Sequence, residues 1–244
     1  MTGAGTIRLL ASLLICGSLV AGVFPCAAGE AVFSGTEAVL ERAITADDPE
    51  AVAAALAGGA SVNGRGAHEV TPLEFAIGFM HKRAAAQLIR HQADPNLKDA
   101  AGDSAVTLAV DGYTRDPELL RMVLDAGGDP NTVRPDGNPV MYRFLTRSDL
   151  DAIAWLHARG ASIDAMVNGE PMVVAMALSL DWDVVWHLIA LGARLDTPRV
   201  TNGLVGAFYN PQIPVPGSQK YQDKVKVWRR LKELGLNPTP PAGM

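Results

Sequence analysis

Five histidines, at positions 68, 81, 91, 157 and 187, are the side chains of this 244-residue sequence best suited to bind a metal or move a proton near neutral pH. None stands in an HExxH or comparable ligand spacing, so no metal site is signalled. A catalytic histidine also needs a partnered nucleophile or base, and the sequence offers no converging pair. His81 falls between two expected helices. His157 and His187 lie near expected helix ends, where positive charge suits the dipole. The pairs Gly58-Gly59 and Gly127-Gly128 stand where helices should end, and a phosphate cradle requires the opposite polarity. The acidic stretches Asp47-Asp48-Glu50 and Asp94 to Asp103 lack the alternating oxygen ligands and terminal Glu of a calcium loop, and read as helix caps and turns. No catalytic residue, metal or cofactor is expected, and the chain is read as a non-enzyme.

Composition narrows the class further. With 48% apolar, 19% charged and 6% aromatic residues, the chain is not disordered, collagenous or multi-spanning, and its core must be mostly Ala, Leu, Val and Ile. The net charge is −5 and no segment carries a row of phosphate-neutralising cations, so a nucleic-acid partner is not expected. Leu9 to Phe24 is an uncharged run that follows Arg8 and precedes small residues, the outline of a signal peptide. At ~1.5 Å per residue it spans about 24 Å, short of a roughly 30 Å hydrocarbon core. A cleaved leader over 1–28, cut after Ala28, is therefore expected rather than an anchor. Lipidation of Cys16 or Cys26 is disfavoured by the neighbouring Ile15 and Pro25. Both cysteines lie inside that leader. The expected location is periplasmic or secreted, without stable membrane insertion.

The rest of the chain repeats. The segments around Gly59, Gln92, Gly127, Gly160 and Gly192 align as LAGGASVN, RHQADPN, DAGGDPN, ARGASID and ALGARLD, at spacings of 33, 35, 33 and 32, and LKELGLNP with Gly235 follows after 43. After each of the first five anchors comes a short apolar segment expected to open a helix: TPLEFAI from Thr71, SAVTLAV from Ser104, NPVMYRF from Asn138, EPMVVAM from Glu170 and NGLVGAF from Asn202. Thr71-Pro72-Leu73-Glu74 has the chemistry of a capping box with proline at the first helical position. Second helices should start at Asp48-Pro49, Asp116-Pro117 and Ser148-Asp149, and end at the anchor, where glycine tolerates the left-handed conformation. Thr36 to Leu56 reads as an amino-terminal helix pair. In the last helix Tyr221, Val225, Trp228, Leu231 and Leu234 form an apolar stripe, with the lysines and arginines expected on a solvated opposite face.

This unit of two antiparallel helices and an extended finger resembles the ankyrin repeat. The resemblance implies an all-α ankyrin-repeat solenoid of about six helix-turn-helix units with extended β-hairpin-like fingers. It would cover residues 34–239, as an N-terminal cap repeat at 34–63, central repeats at 64–196 and a C-terminal repeat at 197–239 with a proline-rich insertion at 210–218, leaving a tail at 240–244. None of the copies has the family's His after Thr-Pro-Leu, where Glu74, Thr107, Met141, Val173 and Val205 stand instead. The resemblance also implies a protein partner bound through finger tips and first-helix ends. Carried over by the repeat frame, that surface comprises His68 and Val70, Ala101 and Asp103, Arg134 and Asp136, Met166 and Val167, and Arg199, with Phe79, Tyr113, Thr146 and Tyr209 at or just beyond first helices.

Before Gln219 the chain past the leader carries fourteen cations against twenty-four anions, a balance of −10, whereas Gln219 to Asn237 holds six cations and two anions. An acidic body speeds encounter with a basic partner. The expected function is non-catalytic protein binding in the periplasm by a monomer, antagonising a secreted toxin or assisting a periplasmic enzyme. An envelope scaffold and an unrecognised hydrolase are the rival readings.

Overall fold

A computed structural model describes residues 32–208, 217–238 and 240. The leader, Tyr209, residues 210–216 of the proline-rich insertion and all of the tail but residue 240 lie outside the described residues. The chain divides into two compact units at Asp136 and Gly137. It is mostly helical, and named strands among the described residues are confined to one two-stranded hairpin.

The N-terminal unit contains α1 (Glu37–Thr45), α2 (Pro49–Ala57), a 3-10 turn (Ala67–Glu69), α3 (Pro72–Gly78), α4 (Lys82–Arg90), α5 (Ala105–Gly112) and α6 (Pro117–Asp125). Helices pair consecutively, α1 with α2, α3 with α4 and α5 with α6, while α1, α3 and α5 pack in one row and α2, α4 and α6 in another. The helices are too short to be stable alone, so they depend on this shared burial. The contact residues are correspondingly small: Ile44, Val52, Leu73, Ala76, Ala84, Ala85, Leu88, Val106, Ala109, Leu120 and Val123 are all buried.

The C-terminal unit contains α7 (Tyr142–Leu145), α8 (Leu150–His157), β1 (Met166–Val167), β2 (Glu170–Pro171), α9 (Met172–Leu178), α10 (Trp182–Ala190), α11 (Pro198–Ala207) and α12 (Gln219–Glu233). Here α9 packs on α11 and α10 on α12. The approach of α9 to α11 depends on Gly203, where an added Cβ would lie 2.6 Å from Val174 Cγ1.

Each second helix ends in the same way. The residues at the six anchors have φ between +64° and +99°, and five of them are glycine. At each, the anchor N–H bonds back three residues and the next N–H bonds back five: Gly127 to Leu124 O and Gly128 to Val123 O, both at 3.0 Å, are one example. This bond pair satisfies carbonyls that the helix end would otherwise leave free and turns the chain out sharply. First helices α1, α3, α7 and α9 end in the same bond pair, but around Asp47, Met80, Ser148 and Leu180, all of positive φ and none glycine. Helix α5 departs from this because the longer turn at Asp111 to Asp116 closes instead on Gly112 O, which accepts from Arg115 N at 2.9 Å and Asp116 N at 3.0 Å.

The capping boxes at Thr71 with Glu74 and at Ser104 with Thr107 form as their sequences direct. Three expected openings are corrected. The fifth helix starts at Pro198, because Thr197 caps it by accepting from Val200 N at 3.3 Å, and Asn202 lies in its interior. Glu170 sits in β2 and the following helix starts at Met172 without a side-chain cap. The amide of Asn138 is bonded to Asn168, and the single α-helical turn that follows starts after Met141 without a side-chain cap. The stripe of the last helix holds in part. Val225 and Leu231 are buried and Tyr221 and Trp228 half-buried, whereas Leu234 is 45% exposed, and Lys224 and Val227 join the buried side. Lys224 therefore does not belong to the solvated basic face, because α10 and α11 bring Trp182 and Phe208 over it.

Two substitutions test this backbone logic by chemical denaturation. Gln92 holds a left-handed conformation that costs an L-residue more than glycine, so Gln92→Gly is expected to raise stability by about 0.5–1 kcal/mol. Gly203→Ala is expected to lower it by roughly 1–3 kcal/mol through overpacking against Val174.

Candidate partner-binding surface

In the N-terminal unit the first finger is turned by the 3-10 helix, and His68 stands exposed there with φ of 58°. Its carbonyl accepts from Ala100 N at 2.9 Å, which ties the first finger to the second. Arg65 strengthens the same tie, donating from Nη1 to Glu69 O and Lys98 O, each at 2.7 Å. These bonds make the finger tips a connected rim instead of separate loops. Asp99 organises the second finger tip by accepting from Ala101 N and Asp103 N.

The structure sorts the expected contact residues by access. Val70 is 5% exposed and Asp103 1%, with Asp103 accepting from Thr107 Oγ1 at 2.9 Å, so neither can meet a partner. Val70 packs inward because it immediately precedes the buried Thr71 capping box, which draws the chain into the core. Phe79 is half-buried, its ring 4.8 Å from Phe75 and stacked at 5.9 Å on His81, which gives that histidine a packing role. Tyr113 is half-buried and Ala101 partly so. Arg134 is held by Asp111 at 3.0 Å with its side chain only 15% exposed, so it is a brace from finger to helix, while Asp136 is exposed.

In the C-terminal unit the finger is a true hairpin, with Met166 opposite Pro171 and Val167 opposite Glu170. Asn168 and Gly169 at its tip have φ of 51° and 82°, the two left-handed residues that a tight two-residue turn requires. Asn138 grips that tip from one side: Asn168 N donates to Asn138 Oδ1 at 2.8 Å and Asn138 Nδ2 to Asn168 Oδ1 at 3.1 Å. Arg199, on the first turn of α11, reaches it from elsewhere, donating to Gly169 O and, through Nε, to Glu170 Oε2 at 3.4 Å. Met166 and Arg199 are therefore brought to one hairpin, with Met166 43% exposed. Val167 is fully buried, because alternation along the strand that presents Met166 must turn its neighbour inward. Thr146 is exposed and Tyr209 lies outside the described residues.

Several exposed or half-exposed residues escaped sequence reasoning. Leu178 at the end of α9 is 53% exposed and Val133 is 46% exposed. Tyr142 is half-buried and accepts from Asn168 Nδ2 at 3.3 Å. The Asn168-Gly169 pair was the available signal for the hairpin, and the end of the apolar run EPMVVAM was the available signal for Leu178.

Buried charge distinguishes the interior. Glu74 is 2% exposed, and burial pushes its carboxyl up to about 7, opposed by the Thr71 N–H that it accepts at 2.6 Å and reinforced by the nearby Asp99. Its other oxygen, Oε1, has no partner. Burial likewise raises Asp99 above the ordinary carboxylate range.

Concavities are shallow in chemistry. A recess of about 520 Å³ in the C-terminal unit is lined by Ile189, Leu195, Thr201, Arg230, Leu234 and Leu236, with Arg230 already bonded to Glu233 at 3.0 Å. Among the described residues no group of three or more His, Cys, Asp or Glu is placed to hold a metal, and no helix is long and apolar enough to cross a membrane. No protein-family model matches the chain, and no curated protein matches it.

Glu74 sets a pH dependence with a defined sign. Its folded pKa of about 7 exceeds an ordinary 4.5, so the folded state holds the proton more tightly. The associated stability is complete below 4.5 and is lost as pH rises through 7, on the order of 3 kcal/mol in all. Glu74→Gln is expected to leave stability at pH 4.5 nearly unchanged and to raise it by about 3 kcal/mol at pH 8. Urea denaturation across that range checks it.

Proposed function

We propose that this chain is a non-catalytic protein-binding module of the ankyrin-repeat type, exported to the periplasm, that captures a partner with a basic surface through its finger tips and first-helix ends. The observation that carries the reading is the recurrence, at intervals near 33 residues, of one helix-ending bond pair followed by a finger tied to its neighbours. The tie is itself periodic: Asn63 Oδ1 accepts from Asp94 N at 2.9 Å, Asn96 Oδ1 from Asp129 N at 2.8 Å, and Asp164 Oδ1 from Arg194 N at 2.9 Å. Fingers fixed in this way lose little freedom on docking, which is the advantage of a preformed recognition surface. Glu74 stands where the family has its His, and closes a capping box with Thr71.

Electrostatics selects the partner class. The acidic body favours a basic protein, and a toxin with a cationic active face or a periplasmic enzyme with a basic docking patch are the two targets of that chemistry. Hot spots are large side chains that need not pack, and Phe79 and Tyr113 in the N-terminal unit, and Met166 and Leu178 in the C-terminal unit, meet that description to different degrees.

Affinity capture from periplasmic extract with the chain lacking residues 1–28 is expected to recover a basic protein in a stoichiometric soluble complex. The Met166→Asp variant should weaken that complex at least about tenfold, and raised salt should slow association. Recovery of no stoichiometric partner, or a complex unaffected by both changes, would overturn the reading.

A further inference from the structure

In the core of the C-terminal unit the Trp182 indole N–H has no acceptor among the described residues, and the Lys224 ammonium stands against the same ring. Lys224 is 2% exposed, and its Nζ sits 4.9 Å from the centre of the Trp182 ring and 5.2 Å from that of Phe208. Trp182 is fully buried, and its Nε1 has no partner. The two rings meet at 4.8 Å, with 49° between their planes, and form two walls beside the ammonium.

Two carboxylates of this region are engaged elsewhere and a third is held only loosely. Asp181 accepts from Lys220 at 2.9 Å, whereas Asp183 Oδ1, 3.9 Å from the same ammonium, is buried without a hydrogen-bond partner. Asp223, the neighbour of Lys224 in sequence, is taken by Lys226 at 2.7 Å and by Gln219 at 3.0 and 3.1 Å. None of them neutralises Lys224. Contact with two aromatic faces returns only part of the hydration that the ammonium loses on burial, and the orphaned indole N–H adds a second cost. Burial also pushes the pKa of Lys224 down, as expected where no negative group faces it.

We propose that the Lys224 ammonium and the Trp182 indole N–H together bind one small acceptor anion, held at the edge of the Trp182 ring. A halide or a compact carboxylate satisfies both donors and neutralises the buried charge. The site is independent of the partner-binding reading, because it lies among core residues of the C-terminal unit and uses none of the finger residues.

The test follows thermal unfolding of the full chain in sodium gluconate, whose anion is too bulky for the site, with chloride, bromide or acetate substituted at constant ionic strength. The substituted anions are expected to raise the unfolding midpoint saturably, by roughly 3–5 °C, and bromide should quench Trp182 emission over the same range. A larger response to acetate than to halide identifies a carboxylate as the preferred ligand, and the reverse identifies a halide. Either supports the site. Lys224→Met should abolish the anion dependence and unfold in gluconate no earlier than the parent. Trp182→Phe keeps the ring and removes the donor, and should weaken half-saturation about fivefold. Equal midpoints in all anions, or an undiminished dependence in Lys224→Met or Trp182→Phe, would refute the proposal.

Discussion

The constraint on which this structure depends is the abrupt ending of short helices. A helix of seven to nine residues leaves more terminal groups unsatisfied than it makes internal bonds, so it survives only if both ends are closed and one side is buried. The left-handed residue at each second-helix end closes one terminus with two bonds and redirects the chain at once into a finger. The next helix can then begin close by and share its neighbour's apolar side. Positive φ at Asp47, Met80, Ser148 and Leu180 shows that the geometry is required even where the residue is not glycine, with packing compensating the strain.

Once the ends are fixed, small side chains decide how closely the helices approach. Ala76, Ala84, Ala85 and Ala109 have almost no exposed surface, and Gly203 removes a side chain where α11 meets α9. The fingers are bound by another economy. One asparagine or aspartate per tie uses its carbonyl or carboxylate oxygen to hold a backbone N–H about thirty residues away, so the tips are braced without a core of their own. Arg65 and Arg199 add the same kind of brace through backbone carbonyls. A surface assembled in this way is stiff where it is polar. Its exposed apolar residues, Met166 and Leu178 among them, project from rigid positions.

Two buried charges stand apart from that scheme. Glu74 closes a helix end and keeps one oxygen unpartnered, and Lys224 lies under two aromatic rings in place of a carboxylate. Both occupy helix positions where an apolar residue would pack without penalty. Each makes the stability of its unit depend on the solution around it, through protons in one case and through charge compensation in the other.

By itself the sequence determined the elements that local chemistry can specify. Thr71-Pro72-Leu73-Glu74, Asp48-Pro49 and Asp116-Pro117 announce helix starts because their caps bond within a turn, and Gly59, Gly127, Gly160 and Gly192 announce helix ends because the left-handed conformation is a property of one residue. The start at Pro198 was equally local, in Thr197-Pro198, but the apolar run from Asn202 masked it. Tertiary structure alone decided the rest. Asn138 became a clamp on Asn168 thirty residues away, Val70 and Val167 turned inward beside exposed neighbours, and Lys224 was covered by rings from α10 and the end of α11. A one-dimensional pattern records which residue could face the core, whereas burial is settled by what the neighbouring helices bring to that place.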